Sequence, residues 1–164
     1  MDTVATFEAS LEGQSAVHRT DAAGFAGTIE DAIEAPAVGS TLALEGVSLA
    51  NAGVETDFDL GALDAARTGV TPAAIGVAEY GTVTLPSSPA GDELAALYVD
   101  RHVAVLAASD LVEDMATAYE RIENAVRPGS RILATGPSAT ADMGDLIRGV
   151  HGPHETHVVV LEDR

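Results

Sequence analysis

The sequence predicts a single α/β domain built around a mostly parallel sheet. Three observations support this fold class. Short apolar strand candidates alternate with amphipathic helix candidates along the chain. The 164 residues, 46% of them hydrophobic, suffice for one globular core. We find no internal repeat, low-complexity tract or linker, so residues 1–20 are taken as an N-terminal segment and 21–164 as one domain.

The first half of the chain predicts two helices and short strands. Residues 1–19 are weakly patterned. A helix is expected over 21–34, because its apolar residues recur at helical spacing and Pro36 ends it. The other elements expected here are a strand at 40–44, a turn and strand within 47–56 and a short helix at 60–67.

The second half is more clearly patterned. Asp110 and Glu113 form a capping box that predicts the start of the best helix in the chain, which Pro128 and Gly129 end. Further helices are expected at 92–98 and 140–148. Strands are expected at 69–71, 82–85, 102–107, 131–135 and 157–161.

The charge of the chain is strongly acidic. The 8 basic residues, all arginine, face 26 carboxylates, which gives a formal charge of −18. Such a chain repels phosphate, so neither nucleic acid nor an anionic membrane surface is expected as a partner. Molar salt would screen this self-repulsion, and the absence of lysine predicts a halophilic protein. The alternative is an ordinary acidic protein.

The chain has no cysteine. Disulfides, thiolate metal sites and iron–sulfur ligation by this chain are therefore excluded, and we expect it to bind no cofactor of its own. The first residues lack a basic region followed by an apolar run, and no apolar stretch approaches the roughly 20 residues that span a bilayer. A cytoplasmic protein without membrane insertion is expected.

One candidate anion site follows the strand predicted at 131–135, at the carboxyl end of a strand, where open α/β sheets generally bind ligands. The segment 135–142 turns at Gly136-Pro137-Ser138 and is expected to enter a helix. Backbone amides at a helix start, with the hydroxyls of Ser138 and Thr140, can hold a carboxylate or phosphate. The same hydroxyls are equally suited to cap the helix.

Two further segments carry polar candidates. Glu79 lies beside Gly81 and Thr82 at the entry of a strand, where it either faces a pocket or is a solvated loop residue. The segment 149–157 holds three histidines at spacings of three residues. The glycine and proline between them argue against a shared helical face, so no metal site is expected. His151 is interpreted as a residue held by the turn at Gly152-Pro153, lining a pocket or packing.

These segments, in this order, resemble the LUD domain, the family of lactate utilisation protein C. Two long motifs, 136–142 and 149–153, are the most specific part of the likeness. Two positions depart from the family pattern: Tyr80 replaces a small hydroxyl residue, and Gly144 replaces an acidic one. The remaining matching segments are 69–71, 78–82, 103–105 and 157–159, with a weaker likeness over 22–60.

The resemblance implies a three-layer α/β/α fold with a Rossmann-like sheet, like that of the NagB/RpiA/CoA-transferase group. It implies an auxiliary role in the oxidation of lactate, or a similar small organic acid, to pyruvate. The partners implied are iron–sulfur subunits and a flavin-linked subunit, with a homo-oligomer also possible. Ligand contacts are expected from Gly81, Thr82, Gly136, Pro137, Ser138, Thr140, Asp142, His151 and Gly152.

Two other functions are left open. In CoA transferases of related fold, a glutamate in a Glu-x-Gly motif forms the acyl intermediate, and Glu79-Tyr80-Gly81 looks like that motif. Glu79 is therefore the candidate nucleophile of an acyl-CoA-dependent transferase. An unrelated binding module is the third hypothesis.

Overall fold

The computed structural model describes residues 2–124, 129–142 and 145–164, except for the side chains of 140–142 and 145–146. The helices are α1 (Thr3–Ser10), α2 (Phe25–Ala32), α3 (Leu60–Ala65), α4 (Asp92–Leu97) and α5 (Met115–Glu123). The strands are β1 (Ala16–Thr20), β2 (Ala37–Gly39), β3 (Val54–Glu55), β4 (Thr68–Pro72), β5 (Ile75–Val77), β6 (Thr82–Pro86), β7 (Arg101–Ala107), β8 (Leu111–Val112), β9 (Arg131–Ala134), β10 (Ala139–Asp142), β11 (Asp145–Arg148) and β12 (Glu155–Leu161).

The central sheet has six strands in the order β1-β12-β7-β4-β2-β3, and every pairing between them is parallel. The central strands β7 and β12 are apolar and almost wholly buried, as expected where both faces of a parallel sheet are covered. The predicted α/β class with a mostly parallel sheet is therefore confirmed.

The two faces of this sheet are covered by different elements. On one face, Val103, Val105 and Val159 pack with Phe25 and Ile29 of α2. Leu42, Leu49 and Ala52, from the loop between β2 and β3, join the same cluster. On the other face, strand residues such as Ala104 and Val158 pack against Phe7 of α1 and against the second sheet. Helix α2 thus covers one face, and α1 together with the second sheet covers the other.

The second sheet has the order β8-β5-β6-β9 and mixes parallel and antiparallel pairs. The strand predicted at 131–135 is β9, which pairs antiparallel with β6. It therefore lies outside the central sheet. The β5–β6 hairpin brings residues 78–81 to its turn, and β9 runs alongside toward Gly136.

Two sequence predictions, the strand at 40–44 and the helix cap at Asp110, are wrong. The strand expected at 40–44 is a loop, because Leu42 covers the sheet face instead of joining the sheet; the strand is β2. Asp110 does not cap the long helix: Leu111–Val112 pairs with β5, and Asp114 accepts a hydrogen bond from the amide of Thr117. The ending proposed at Pro128 lies outside the described residues.

The helix expected over 140–148 is an antiparallel hairpin of β10 and β11. The amide of Gly149 donates to the carbonyl of Ser138 at 2.8 Å and closes the hairpin base. A run this short does not separate the helical period from the strand period. Met143 and Gly144 connect the two strands in sequence and lie outside the described residues.

Residues 1–20 hold more order than their weak patterning predicts. Asp2 caps α1 through hydrogen bonds from the amides of Val4 and Ala5. Ala16–Thr20 forms β1, which pairs in parallel with β12. Among the described residues, no helix is long and apolar enough to cross a membrane.

Candidate functional site

A two-part cleft lies at the amino-terminal ends of three central strands. Ala16, Arg101 and Glu155 begin β1, β7 and β12 at this edge. We expected ligand sites at the carboxyl ends of the sheet, as is general for open α/β folds. That placement is wrong for the segment 135–138, because β9 belongs to the second sheet and delivers Gly136 to the opposite edge.

The outer cleft is the open part, with a volume of about 340 Å³. Arg148 and His154 both line it, and Nδ1 of His154 lies 3.4 Å from a carboxylate oxygen of Asp100. Glu155 also lines the outer cleft, but its carboxylate accepts a hydrogen bond from Nε of Arg101 at 2.9 Å. The remaining lining residues are Gly13, Gln14, Ser15, Ala16, Thr156 and His157.

The inner recess lies behind the outer cleft, between the central sheet and the second sheet. Its volume is about 10 Å³, close to the minimum that accepts one water molecule. Ser15, Thr156 and His157 line both parts, and the hydroxyls of Ser15 and Thr156 are hydrogen-bonded to each other at the boundary. The apolar residues of the recess are Leu11, Val83, Ala104, Ala134 and Val158.

His102 is the buried polar group of the inner recess. It is 3% exposed, and its Nε2 lies 2.8 Å from Oγ1 of Thr71. Burial lowers the pKa of His102 to about 4, because the charged imidazolium is poorly solvated there. The ring is therefore neutral at physiological pH and acts as a hydrogen-bonding group.

Gly81 and Gly136, two predicted ligand residues, line the recess together. Both have left-handed backbone conformations, with φ of 64° and 63°. A Cβ on Gly136 would lie 3.3 Å from Oγ of Ser15, and one on Gly81 would lie 2.6 Å from Cγ of Leu11. Glycine at these positions lets both loops approach the cleft closely.

The structure places the other predicted residues around this cleft. Thr82 joins the two glycine loops, because its Oγ1 lies 2.5 Å from Oγ1 of Thr135. Pro137 is half-buried and Ser138 is exposed. His151 is exposed and Gly152 half-buried in the loop after the hairpin, and neither lines the cleft. The backbones of Thr140 and Asp142 lie in β10, and their side chains are outside the described residues.

Glu79 lies apart from the cleft, in a shallow pocket with Thr6 and Ser10 of α1. Its side chain is exposed, and its carbonyl accepts a hydrogen bond from Oγ of Ser10 at 3.3 Å. Glu113 and Asp114 line the same pocket. These three carboxylates would repel an anionic thioester ligand, so the charge of this pocket disfavours a CoA site.

A pair of histidines lies at the same edge, on the opposite face of the central sheet from His102. Nε2 of His18 is 3.0 Å from Nδ1 of His157. Burial, then the charge of Arg101, lowers the pKa of His157 to about 4; burial also lowers the pKa of His18. Among the described residues, no group of three or more histidines and carboxylates is placed to hold a metal ion.

Sequence reasoning missed the polar centre of the cleft. His102 is isolated in sequence and was given no role, and Ser15 lies in the segment read as weakly patterned. Thr156 is an ordinary residue at a strand start. No alternation marks β1, because its sequence Ala-Val-His-Arg-Thr has two apolar residues followed by three polar ones, so the sequence carried no clear signal for Ser15.

The family model described as the LUD domain matches residues 47–161. The chain belongs to the LUD-domain family. This confirms the resemblance given by the motifs, and the match includes both glycine loops, His102 and Thr156.

Several curated relatives of this LUD-domain chain share one description. "Lactate utilization protein C" of Bacillus licheniformis is 35% identical over 114 residues, which is 66% of this chain and 48% of the relative. The protein of the same description from Bacillus subtilis is 33% identical over 105 residues, 60% of this chain and 44% of the relative. The chain thus spans about half the length of the curated relatives it matches.

A solved structure has the same fold as this LUD-domain chain. It is described as a DUF162 family protein from Deinococcus radiodurans and superposes with a TM-score of 0.73 at 24% identity. The match covers 98% of this chain and 96% of that one. It supports the fold described above.

Proposed function

We propose that this LUD domain is an auxiliary, small-anion-binding module in the utilisation of lactate or a similar small organic acid. The two-part cleft is its binding site. The single observation that carries the proposal is the meeting of the two glycine loops, Gly81 and Gly136, with Arg148, Ser15 and Thr156 at one cleft. The description of several relatives as lactate utilisation proteins supports the pathway.

The chemistry of the outer cleft favours a carboxylate. Arg148 offers a planar donor that suits carboxylates, and Ser15 and Thr156 offer hydroxyls beside it. Glu155 is engaged by Arg101, which reduces its repulsion of an anion. The chain has only 8 basic residues against 26 carboxylates, so an arginine that lines this cleft is a distinguishing feature.

Electron transfer in such a pathway would run through other subunits. The chain has no cysteine to ligate an iron–sulfur cluster. We therefore propose iron–sulfur and flavin-linked subunits as its partners during oxidation of lactate to pyruvate. Co-purification from the native host in high salt tests this: recovery of those subunits supports it, and recovery of the chain alone contradicts it.

Calorimetry tests the binding site. L-lactate and pyruvate are titrated into the wild-type chain, Arg148→Gln and the control Arg131→Gln, whose residue begins β9 away from the cleft. Loss of a charge-assisted hydrogen bond should weaken binding by roughly 1.5–3 kcal/mol in Arg148→Gln. The control should bind like the wild type. Equal affinity of all three proteins, or no binding by any, would contradict the proposal.

A further inference from the structure

The pair formed by His18 and His157 places two titratable side chains at the edge of the two-part cleft. Nε2 of His18 lies 3.0 Å from Nδ1 of His157. The parallel pairing of β1 with β12 brings these residues together from opposite ends of the chain. His157 lines both the outer cleft and the inner recess. A charge on the pair therefore lies beside any ligand that occupies the cleft.

The contact between the two rings is compatible with one added proton but not with two. Two neutral imidazoles share one N–H···N hydrogen bond, in which one ring donates and the other accepts. A first added proton goes to the free nitrogen of the donating ring, and the hydrogen bond between the rings becomes charge-assisted. A second added proton would make both facing nitrogens donors and break the contact. The pair therefore titrates as one unit with a charge of zero or +1.

Burial is the main influence on the charge of the pair. It lowers the pKa of His18, and together with the charge of Arg101 it lowers the pKa of His157 to about 4. The carboxylates that face the pair favour its charged form but do not outweigh burial; they are Asp31 and Glu34 at the end of α2 and Glu155 of β12. Arg148 and His154 line the outer cleft with His157. Because the empty pair is neutral near pH 7, an anion beside it would favour the uptake of a proton.

We propose that the His18–His157 pair is a cationic partner of the bound carboxylate and acquires its charge on binding, by taking one proton from the buffer. The anion offsets the loss of solvation that keeps the empty pair neutral. The complex then holds more protons than the free chain below about pH 6.5, so the affinity for the carboxylate rises as the pH falls. This inference rests on the proposed function, because it takes the outer cleft as the site of the carboxylate.

Calorimetry of pyruvate binding to the wild-type chain tests this coupling. Titrations at pH 5.5 and pH 7.5, each in two buffers of different ionisation enthalpy at one KCl concentration, give the number of protons taken up per bound pyruvate. A nearby anion raises a histidine pKa by at least about 1, so we expect about 0.2 protons or more at pH 5.5 and almost none at pH 7.5. Binding without uptake at pH 5.5 would overturn the coupling and leave the proposed function standing. Absence of binding at both pH values would overturn both.

Three variants assign the proton to the pair. His157→Gln should remove most of the uptake at pH 5.5. His18→Leu should reduce it, because the charged His157 ring loses its hydrogen-bond acceptor. His154→Gln is the matched control: His154 lines the same cleft outside the pair, so the uptake should persist. Full uptake in folded His157→Gln, or its loss in His154→Gln, would overturn the assignment. Circular dichroism checks folding, and the comparison of wild type with His154→Gln decides if the other variants do not fold.

Discussion

At the scale of single residues, two glycines from the same pair of motifs have different physical constraints. Gly136 has φ of 63°, and a Cβ there would crowd Ser15. Gly152 has no atom within 4 Å of the position a Cβ would take. A glycine that belongs to a family motif is therefore not always one that the backbone conformation or the neighbouring atoms require to be glycine.

Gly136→Ala should destabilise the chain by about 1 kcal/mol or more, since an L-residue is strained in the left-handed region. Gly152→Ala is the matched control and should change the free energy of unfolding by less than about 0.5 kcal/mol. Urea unfolding in molar KCl measures both. Equal effects of the two substitutions would show that the geometry at Gly136 is not constraining.

At the scale of elements, the contact between α4 and β4 depends on Gly69. A Cβ at this position would lie 1.7 Å from the carbonyl oxygen of Ala95, so the helix backbone packs directly on the strand. Ala95 and Val99 continue the contact into a small core with Val38 and Leu63. The close approach of this helix to the sheet therefore requires the absence of a side chain.

Gly69→Ala should separate α4 from β4 and cost about 3 kcal/mol, at the upper end for overpacking of a core. Gly27→Ala is the control: Gly27 lies exposed in α2 with nothing within 4 Å of the Cβ position. Alanine there should stabilise the helix by about 0.5–1 kcal/mol. Thermal melts of the two variants should shift in opposite directions. A wild-type melting temperature for Gly69→Ala would contradict the packing described.

The elements with a strong hydrophobic signal were predictable from sequence. The strands at 102–107 and 157–161 are buried on both faces, and their continuous apolar runs predict this directly. The hairpin at 139–148 was not predictable, because short strands with polar residues carry no clear period. The loop glycines of the cleft were predicted, but Ser15 and Thr156 meet only through β1–β12 pairing, a contact between distant parts of the chain.

At the scale of the whole molecule, charge dominates. A formal charge of −18 on 164 residues produces self-repulsion that grows as salt is removed. The described ion pairs, such as Arg19 with Glu162 and Arg101 with Glu34, engage only a few of the 26 carboxylates. Screening by salt is therefore the main means of reducing this repulsion.

The melting temperature should fall between molar KCl and about 0.1 M KCl, where the Debye length grows from roughly 3 to 10 Å. Differential scanning calorimetry at fixed pH measures the change. Sucrose in place of KCl serves as a control, because it stabilises compact states without screening charge. An unchanged midpoint in low salt would contradict the halophilic interpretation.

Stability should also depend on pH through His102. Its pKa of about 4 in the folded chain lies below the unfolded value of 6.5, so the unfolded chain binds more protons between these values. The contribution of neutral His102 to the free energy of unfolding is complete above about pH 7. It is lost as the pH is lowered through 6.5 toward 4. His102 alone should remove about 2 kcal/mol between pH 7 and pH 5.

Urea unfolding at pH 7 and pH 5 in molar KCl measures this loss. His102→Leu should reduce the pH dependence, whereas His151→Gln, at an exposed histidine, should leave it as in the wild type. The lowered pKa values of His18 and His157 act in the same direction. If His102→Leu has the full wild-type pH dependence, His102 is not neutral and buried as described.

The most direct test of the cleft is a titration of ¹⁵N-labelled protein with pyruvate, followed by amide chemical shifts in molar KCl. The account predicts that shifts concentrate at the amino-terminal edge of the sheet, in Ser15, Gly81, Gly136 and Thr156. The carboxyl-end residues should remain unchanged. Shifts centred on that opposite edge, or none at saturating pyruvate, would contradict the claim that the glycine loops and Arg148 form an acid-binding site.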